Sequence, residues 1–295
     1  MKENKIPTGT RLGDWLKWGK AELKDCPIGT PSLDAEVLMM TAFDLERIIL
    51  HVYPERELPK EKIELYQSYI ARRKAEEPIR YITGGKEFMG LYFTVRKGVL
   101  IPRNDTETIV EAALEKAREI DGKKALEIGV GSGAIAVSLL YYLKKEGREF
   151  SMVGTDVEEI PLEVTRENAE RHGVSEDLTL IKGDLFQPLD KGGRQFDLIL
   201  SNPPYLSESE MKEVAREVRD HEPRTALFAE EGGLRFYREI ISEAPAHLRD
   251  NGYLLLEIGH SQGNDVYRMM RKGGFRSVKI LKDLENRDRV VLGKL

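Results

Sequence analysis

The chain has 295 residues, 40% of them apolar and 33% charged, a composition that excludes a disordered or collagen-like protein and suits one or two domains with real cores. Its 46 basic and 51 acidic residues give a formal net charge of −5, which disfavours a protein that holds nucleic acid chiefly by neutralising phosphates. The single cysteine, Cys26, excludes an intrachain disulfide and a multi-cysteine zinc site, and the five histidines form no His-Glu-x-x-His pattern, so no metal is expected.

The first 20 residues carry charges throughout, so no signal peptide is expected. The longest nearly apolar stretch, 134–143, is far short of the roughly 20 residues that span a bilayer, and a cytoplasmic protein is the expectation. Residues 1–84 read as a helical domain. Thr10 or Asp14 is placed to cap a helix holding Leu12, Trp15, Leu16 and Leu23, and both Trp15 and Trp18 are expected in its core or on a partly buried helix face. Ser32 after Pro31 starts a second helix, with Leu33, Val37 and Leu38. Pro59 opens a third, with Ile63, Tyr66 and Ile70 on one face and a basic end, Arg72, Arg73 and Lys74, suited to the helix dipole. This domain holds 14 basic and 14 acidic residues, so the whole net charge sits on the remainder.

Residues 85–102 place Phe88, Leu91, Phe93, Val95, Val99 and Ile101 around Gly90 and Gly98, a β-hairpin pattern read as a connector between two domains. From 103 to 295 strands and helices alternate. Helices are expected over 107–120, 134–145 and 161–172, and strands over 125–128, 151–155, 178–181, 196–200 and 253–258, with helical segments between the last two strands. Such alternation gives a parallel sheet with helices on both faces. Two short strands, 278–281 and 289–292, flank a polar cluster at 285–288 and suggest an antiparallel hairpin on the sheet edge.

Three features carry chemistry. Glu127-Ile-Gly129-Val130-Gly131-Ser132-Gly133-Ala134 follows a strand and opens a helix. Glycines there permit backbone angles closed to other residues and let the main chain approach a ligand, although a plain strand-to-helix turn uses the same residues. Asp156 ends the next strand, where a carboxylate accepts hydrogen bonds from both hydroxyls of a ribose or merely caps a helix. Together the two point to an adenosine-containing cofactor and leave NAD and S-adenosylmethionine open. The third feature, Asn202-Pro203-Pro204-Tyr205, follows the strand at 196–200 and faces the same crevice in an open parallel sheet. An amide or arylamine nitrogen is a poor nucleophile because its lone pair is delocalised. The Asn202 side-chain oxygen and the Pro203 carbonyl are suited to accept its two N–H bonds and aim that lone pair at an activated methyl group. Pro204 stiffens the loop, and Tyr205 offers a ring on which a flat group can stack.

The pairing of this loop with the glycine loop resembles the S-adenosylmethionine-dependent amino-methyltransferases, and within them the HemK/PrmC peptide chain release factor glutamine methyltransferases. The resemblance spans nearly the whole chain. It includes Tyr81-Ile-x-Gly84, Glu87 to Phe93, Val99 to Arg103, Asn168-Ala169, Gly183 to Phe186, Glu222 to Leu227, Gly233 to Arg238, Glu257-Ile-Gly259 and Arg287-Asp-Arg289. The resemblance implies a Rossmann-like α/β methyltransferase with a seven-stranded mixed sheet whose last strand is antiparallel, preceded by a small all-α domain that recognises the protein substrate. It implies methylation of the side-chain amide nitrogen of the Gln in the release factor Gly-Gly-Gln motif. It puts Gly129, Val130, Gly131, Ser132 and Gly133 on the methionine part of S-adenosyl-L-methionine, Asp156 on its ribose and Asp184 and Leu185 near its adenine, with Glu127 and Asn202 also among the cofactor-binding residues. It puts Asn202, Pro203, Pro204 and Tyr205 on the glutamine. Family members often carry an aromatic residue where Leu185 stands, and a proline where Asn104 stands. A monomer with a release factor as partner, and with no membrane or direct nucleic-acid contact, is expected. The alternatives are a glutamine methyltransferase acting on a ribosomal protein, an adenine or cytosine methyltransferase, a non-catalytic binding module, and an NAD-dependent dehydrogenase. The dehydrogenase reading leaves Asn202–Tyr205 without a role.

Overall fold

The structure, a computed structural model, describes residues 5–189 and 195–295. Five helices come first: α1 (Leu12–Leu23), α2 (Pro31–Phe43), α3 (Arg47–Val52), α4 (Lys60–Lys74) and α5 (Ile79–Thr83). A hairpin follows, β1 (Gly85–Phe88) and β2 (Leu91–Thr94), then α6 (Glu107–Glu119), β3 (Lys124–Ile128), α7 (Ala134–Lys145), β4 (Ser151–Asp156), α8 (Glu159–Arg171), β5 (Leu178–Lys182) and β6 (Phe196–Ser201). After these come α9 (Glu208–Glu213), the single turns α10 (Arg216–Arg219) and α11 (Glu230–Gly233), α12 (Arg235–His247), β7 (Leu248–Glu257), α13 (Gly263–Lys272), β8 (Arg276–Lys282) and β9 (Asp288–Lys294). The chain divides into two compact units. One is 1–84 together with Ala215–His221; the other is Gly85–Val214 with Glu222–Leu295.

In the helical unit, Leu12, Trp15, Leu38, Met39, Tyr66 and Ile70 form one buried cluster, with Trp18 packed against it. Neither Thr10 nor Asp14 caps α1, whose N-cap is Arg11. The first helical N–H groups are satisfied instead by the chain at 54–56: Leu12 donates to the Arg56 carbonyl and Gly13 to the Pro54 carbonyl, each at 2.8 Å. Helix α2 begins at Pro31, one residue before Ser32, because Thr30 takes the capping position. Arg73 is more than a dipole partner. It is buried, and its guanidinium meets Asp34 at 2.6 Å and Glu217 at 2.8 Å, which is why the turn α10 belongs to this unit. A buried cation needs such partners to offset its lost hydration.

In the second unit, the seven-stranded sheet has the order β5-β4-β3-β6-β7-β9-β8. Strands β3 to β7 pair in parallel, and β9 runs antiparallel between β7 and β8. The final hairpin therefore does lie at the edge, with its second strand inserted inward. Successive residues point to opposite faces. Ala125, Leu198 and Leu255 join one cluster with α6 and α7, while Leu126, Ile199 and Leu254 join another with Tyr237, Ile240 and Val266. The hairpin over 85–94 is not a free-standing connector, since Phe88, Leu91 and Phe93 are buried in the first of these clusters. Residues 95–101 continue as loop rather than strand. Helix α13, which the sequence reading did not place, buries Val266 and Met270; its flanking glycines obscure the periodicity.

One side chain ties the hairpin to α8 and to the glycine loop before α7. Asn168 on α8 is fully buried; its Oδ1 accepts from the Thr94 N–H at 2.8 Å, and its Nδ2 donates to the Thr94 carbonyl at 3.0 Å and the Ser132 carbonyl at 2.9 Å. Asn168→Ala strands these groups and is expected to lower stability by about 2–3 kcal/mol. Chemical denaturation of wild type and variant checks this.

Candidate active site

The ends of three adjacent strands build the site. Ile128 on β3 pairs with Thr155 on β4 and with Ser201 on β6. The residues that leave these strands, Gly129, Asp156 and Asn202, thus emerge together. Ser201 Oγ donates to the Ile128 carbonyl at 2.8 Å and fastens two of the ends. They open on a cavity of about 450 Å³, a volume that suits a small-molecule ligand.

The glycine loop folds as the sequence requires. Gly129, Gly131 and Gly133 have φ of +75°, +55° and +79°, all in the left-handed region. Gly129 and Gly131 line the cavity, and a Cβ on either would meet open space, so conformation alone demands glycine there. Gly133, which the resemblance puts on the cofactor, does not line the cavity. A Cβ there would lie 2.8 Å from Thr165 Cγ2, so this glycine serves helix packing. Val130, Ser132 and Glu127 do line the cavity.

Four of the loop amides are taken by the chain itself. Gly129 and Val130 donate to the Thr155 carbonyl at 2.8 and 3.1 Å, Gly133 to the Val130 carbonyl at 2.7 Å, and Gly131 to Asp156 Oδ2 at 3.1 Å. At the N-terminus of α7, Glu127 Oε2 accepts from the Ala136 N–H at 2.8 Å. The Gly131 and Ala136 amides are thus taken by the chain's own carboxylates rather than left for a pyrophosphate, which counts against NAD. Burial pushes the Glu127 carboxyl well above the ordinary carboxylate range, against the Ala136 bond, and Asp156 adds to the rise. Burial likewise raises Asp156, whose Oδ1 also accepts from the Glu158 N–H at 3.1 Å. Such acids favour a cationic ligand group.

Asp156, Asp184, Leu185, Asn202, Pro203 and Pro204 all line the cavity. Leu185 holds φ of +48°, and Thr155 Oγ1 donates to its carbonyl at 3.3 Å. Tyr205 departs from expectation. It does not line the cavity; its ring packs against the second core cluster, and burial pushes its hydroxyl up to about 12. Its amide donates to the Leu227 carbonyl at 3.2 Å and its carbonyl accepts from Gln262 Nε2 at 3.0 Å, so it anchors the loop. Thr106, Arg103, Phe228 and Phe236 line the cavity without having been singled out. Arg103 is held at 2.6 Å by the buried Glu222, whose other oxygen accepts from the Ile101 N–H at 3.1 Å. Both lie in stretches that the resemblance covered without assigning them a role.

Residues 14–84 match the family model for the PrmC N-terminal domain, and 105–234 that for the Methyltransferase small domain. A release factor glutamine methyltransferase from Geobacter sulfurreducens is 39% identical over 280 residues, covering 95% of each chain. The chain belongs to the release factor glutamine methyltransferase family. A second member, from Clostridium botulinum, is 36% identical over 95% of this chain and 98% of its own. Among solved structures, the hMettl16 catalytic domain in complex with MAT2A 3'UTR hairpin 6 is 18% identical. It covers 80% of this chain and 81% of its own with a TM-score of 0.53, a likeness of fold. The family's cofactor is S-adenosylmethionine, and the lining fits a ligand that carries an ammonium and a sulfonium: a buried acid, Glu127, and two bare glycines that admit close approach all border the cavity. Among the described residues, no group of acidic, His or Cys side chains is arranged to hold a metal, and no helix is long and apolar enough to cross a membrane.

The loop geometry has a direct test. Gly133→Ala adds a clash to an unfavourable φ and is expected to cost about 1–3 kcal/mol. Gly147→Ala, at φ of +71° with open space around it, carries the backbone strain alone and is expected to cost less. Paired denaturation curves compare them.

Proposed function

We propose that the chain transfers a methyl group from S-adenosylmethionine to the side-chain amide nitrogen of the Gln in the Gly-Gly-Gln motif of a peptide chain release factor. The observation that carries this reading is Asn202 at the cavity wall, with its Nδ2 donating to Thr106 Oγ1 at 3.4 Å. That leaves Oδ1 as the acceptor for a substrate N–H, with the Pro203 carbonyl as a second. Two acceptors match the two N–H bonds of a primary amide and turn its plane, so that the nitrogen lone pair faces the cofactor.

When bound, S-adenosylmethionine supplies a methyl group already activated on a sulfonium. The protein then has to orient and desolvate rather than activate. Glu127 lies against the cationic end, Asp156 near the ribose, and Asp184 and Leu185 near the adenine. Pro203 and Pro204 make the loop stiff, and Gln262, through the Tyr205 carbonyl, holds its far end. The methylated amide sheds its proton to water, so no base is required in the cavity. Residues 1–84, the first four of which lie outside the described residues, recognise the release factor, and the enzyme acts as a cytoplasmic monomer. The release factor is favoured over a ribosomal protein because relatives that match nearly end to end bear that name.

Asn202→Ala is expected to lower kcat by ~100-fold or more while leaving cofactor affinity within a few-fold. Single-turnover methyl transfer and calorimetric titration with S-adenosylmethionine measure the two. Unchanged turnover with collapsed cofactor binding would contradict the role given to Asn202.

A further inference from the structure

Glu257 is a buried acid that methyl transfer at Asn202 does not itself require. It ends β7. Because Ser201 pairs with Leu256 in parallel register, Asn202 and Glu257 leave the sheet side by side. Glu257 is 1% exposed and does not line the cavity, and its Oε2 has no hydrogen-bond partner among the described residues. Two hydrogen-bonding side chains face its carboxyl, Thr106 and Asn202. Thr106, 4% exposed, is the residue to which Asn202 Nδ2 donates.

We propose that Glu257, acting through Thr106, is the positioning residue that fixes which way the Asn202 amide faces. The inference rests on the reading of Asn202 Oδ1 as the substrate acceptor. An ionised carboxylate only accepts hydrogen bonds. Thr106 has one hydroxyl proton. If that proton goes to Glu257, the Thr106 oxygen must accept from its other neighbour, and Asn202 must turn Nδ2 toward it. Oδ1 is then left facing the cavity. With Glu257 protonated the chain can reverse: the acid donates to Thr106, Thr106 donates to Asn202 Oδ1, and Nδ2 swings toward the substrate. A donor then opposes the donors of the glutamine amide, and binding in the reactive orientation is lost.

The surroundings make this switch operate near neutrality. Burial raises the Glu257 carboxyl to about 7, and Asp105 adds to the rise. Thr106, Asn202 and the Arg289 guanidinium on β9 oppose it. Arg289 itself is engaged by Asp283 at 3.1 Å and Asp105 at 3.0 Å. Tyr205 and Tyr237 also face the group, and burial keeps both neutral. The folded chain binds this proton more tightly than the unfolded chain. The neutral acid therefore contributes stability that is full below the ordinary value of 4.5 and is lost as pH rises through about 7. At working pH the ionised acid costs stability.

The test compares wild type, Glu257→Gln and Thr106→Val, using methyl transfer to a purified full-length release factor between pH 5.5 and 9 with saturating S-adenosylmethionine. Wild-type kcat is expected to fall on the acid side with a midpoint near the Glu257 value. Glu257→Gln is expected to lower kcat ~10-fold or more at pH 8 and to flatten that limb, with cofactor Kd within about twofold. Its melting temperature should exceed that of wild type increasingly as pH rises through the same midpoint. Thr106→Val should lower kcat similarly at unchanged cofactor affinity. Wild-type kcat and an intact acid limb in Glu257→Gln would overturn the proposal. If that variant does not fold, unchanged kcat in Thr106→Val overturns it instead. An active Asn202→Ala enzyme would remove the reading beneath it. An inactive Asn202→Ala beside fully active Glu257→Gln and Thr106→Val would remove this inference alone.

Discussion

The register of β3 between its two parallel neighbours is the constraint on which the site depends. Ile128 stands opposite Thr155 on one side and Ser201 on the other. The glycine loop, the acid ending β4 and the Asn-Pro-Pro-Tyr loop therefore start at one level of the sheet, although they are far apart in sequence. A slip of one residue would turn every side chain of a strand to the opposite face. The alternation of Ala125 and Leu126, and of Leu198 and Ile199, between the two core clusters penalises that slip. Packing on both faces thus holds the geometry that the chemistry needs.

A second theme is the placement of acids. Glu127 and Glu257 sit at the ends of β3 and β7, each 1% exposed, and burial raises both. Buried carboxyls that lack a paired cation are costly, and a fold built for stability alone would replace them. Their positions account for their presence. Glu127 lines the cavity and accepts from the Ala136 N–H at the start of α7, and Asp156 accepts from the Gly131 N–H, so the loop resembles a nucleotide loop in sequence yet has these two amides taken by its own acids. Glu257 stands beside Asn202, the residue proposed to meet the substrate. Perturbed acids of this kind cluster where function overrides stability.

Much of this was legible in the sequence because it is written in local signals. The strand-loop-helix at 124–145, the acid ending β4 and the proline-rich loop after β6 each carry their reason within a few residues. The legibility ended where a non-local partner decides. The N–H groups of α1 find carbonyls at 54–56, so the expected caps at Thr10 and Asp14 are not needed. Tyr205 reads as a stacking ring, but its neighbours in space include Gln262, 57 residues away, and it faces the core. Gly133 reads as a ligand contact because it shares a motif with Gly129 and Gly131; only Thr165 reveals its packing role. Thr106 and Glu257 lie in separate stretches, and neither looks chemical until β7 is set beside β6.

The central claim is the identity of the atom that receives the methyl group. The most direct measurement incubates the full chain and S-adenosylmethionine with a purified, unmethylated bacterial release factor and sequences the Gly-Gly-Gln peptide by tandem mass spectrometry. The account expects a gain of one methyl group on the side-chain amide of that Gln. A release factor left unmethylated by an enzyme that still binds its cofactor, or a methyl group on any other residue, would contradict it.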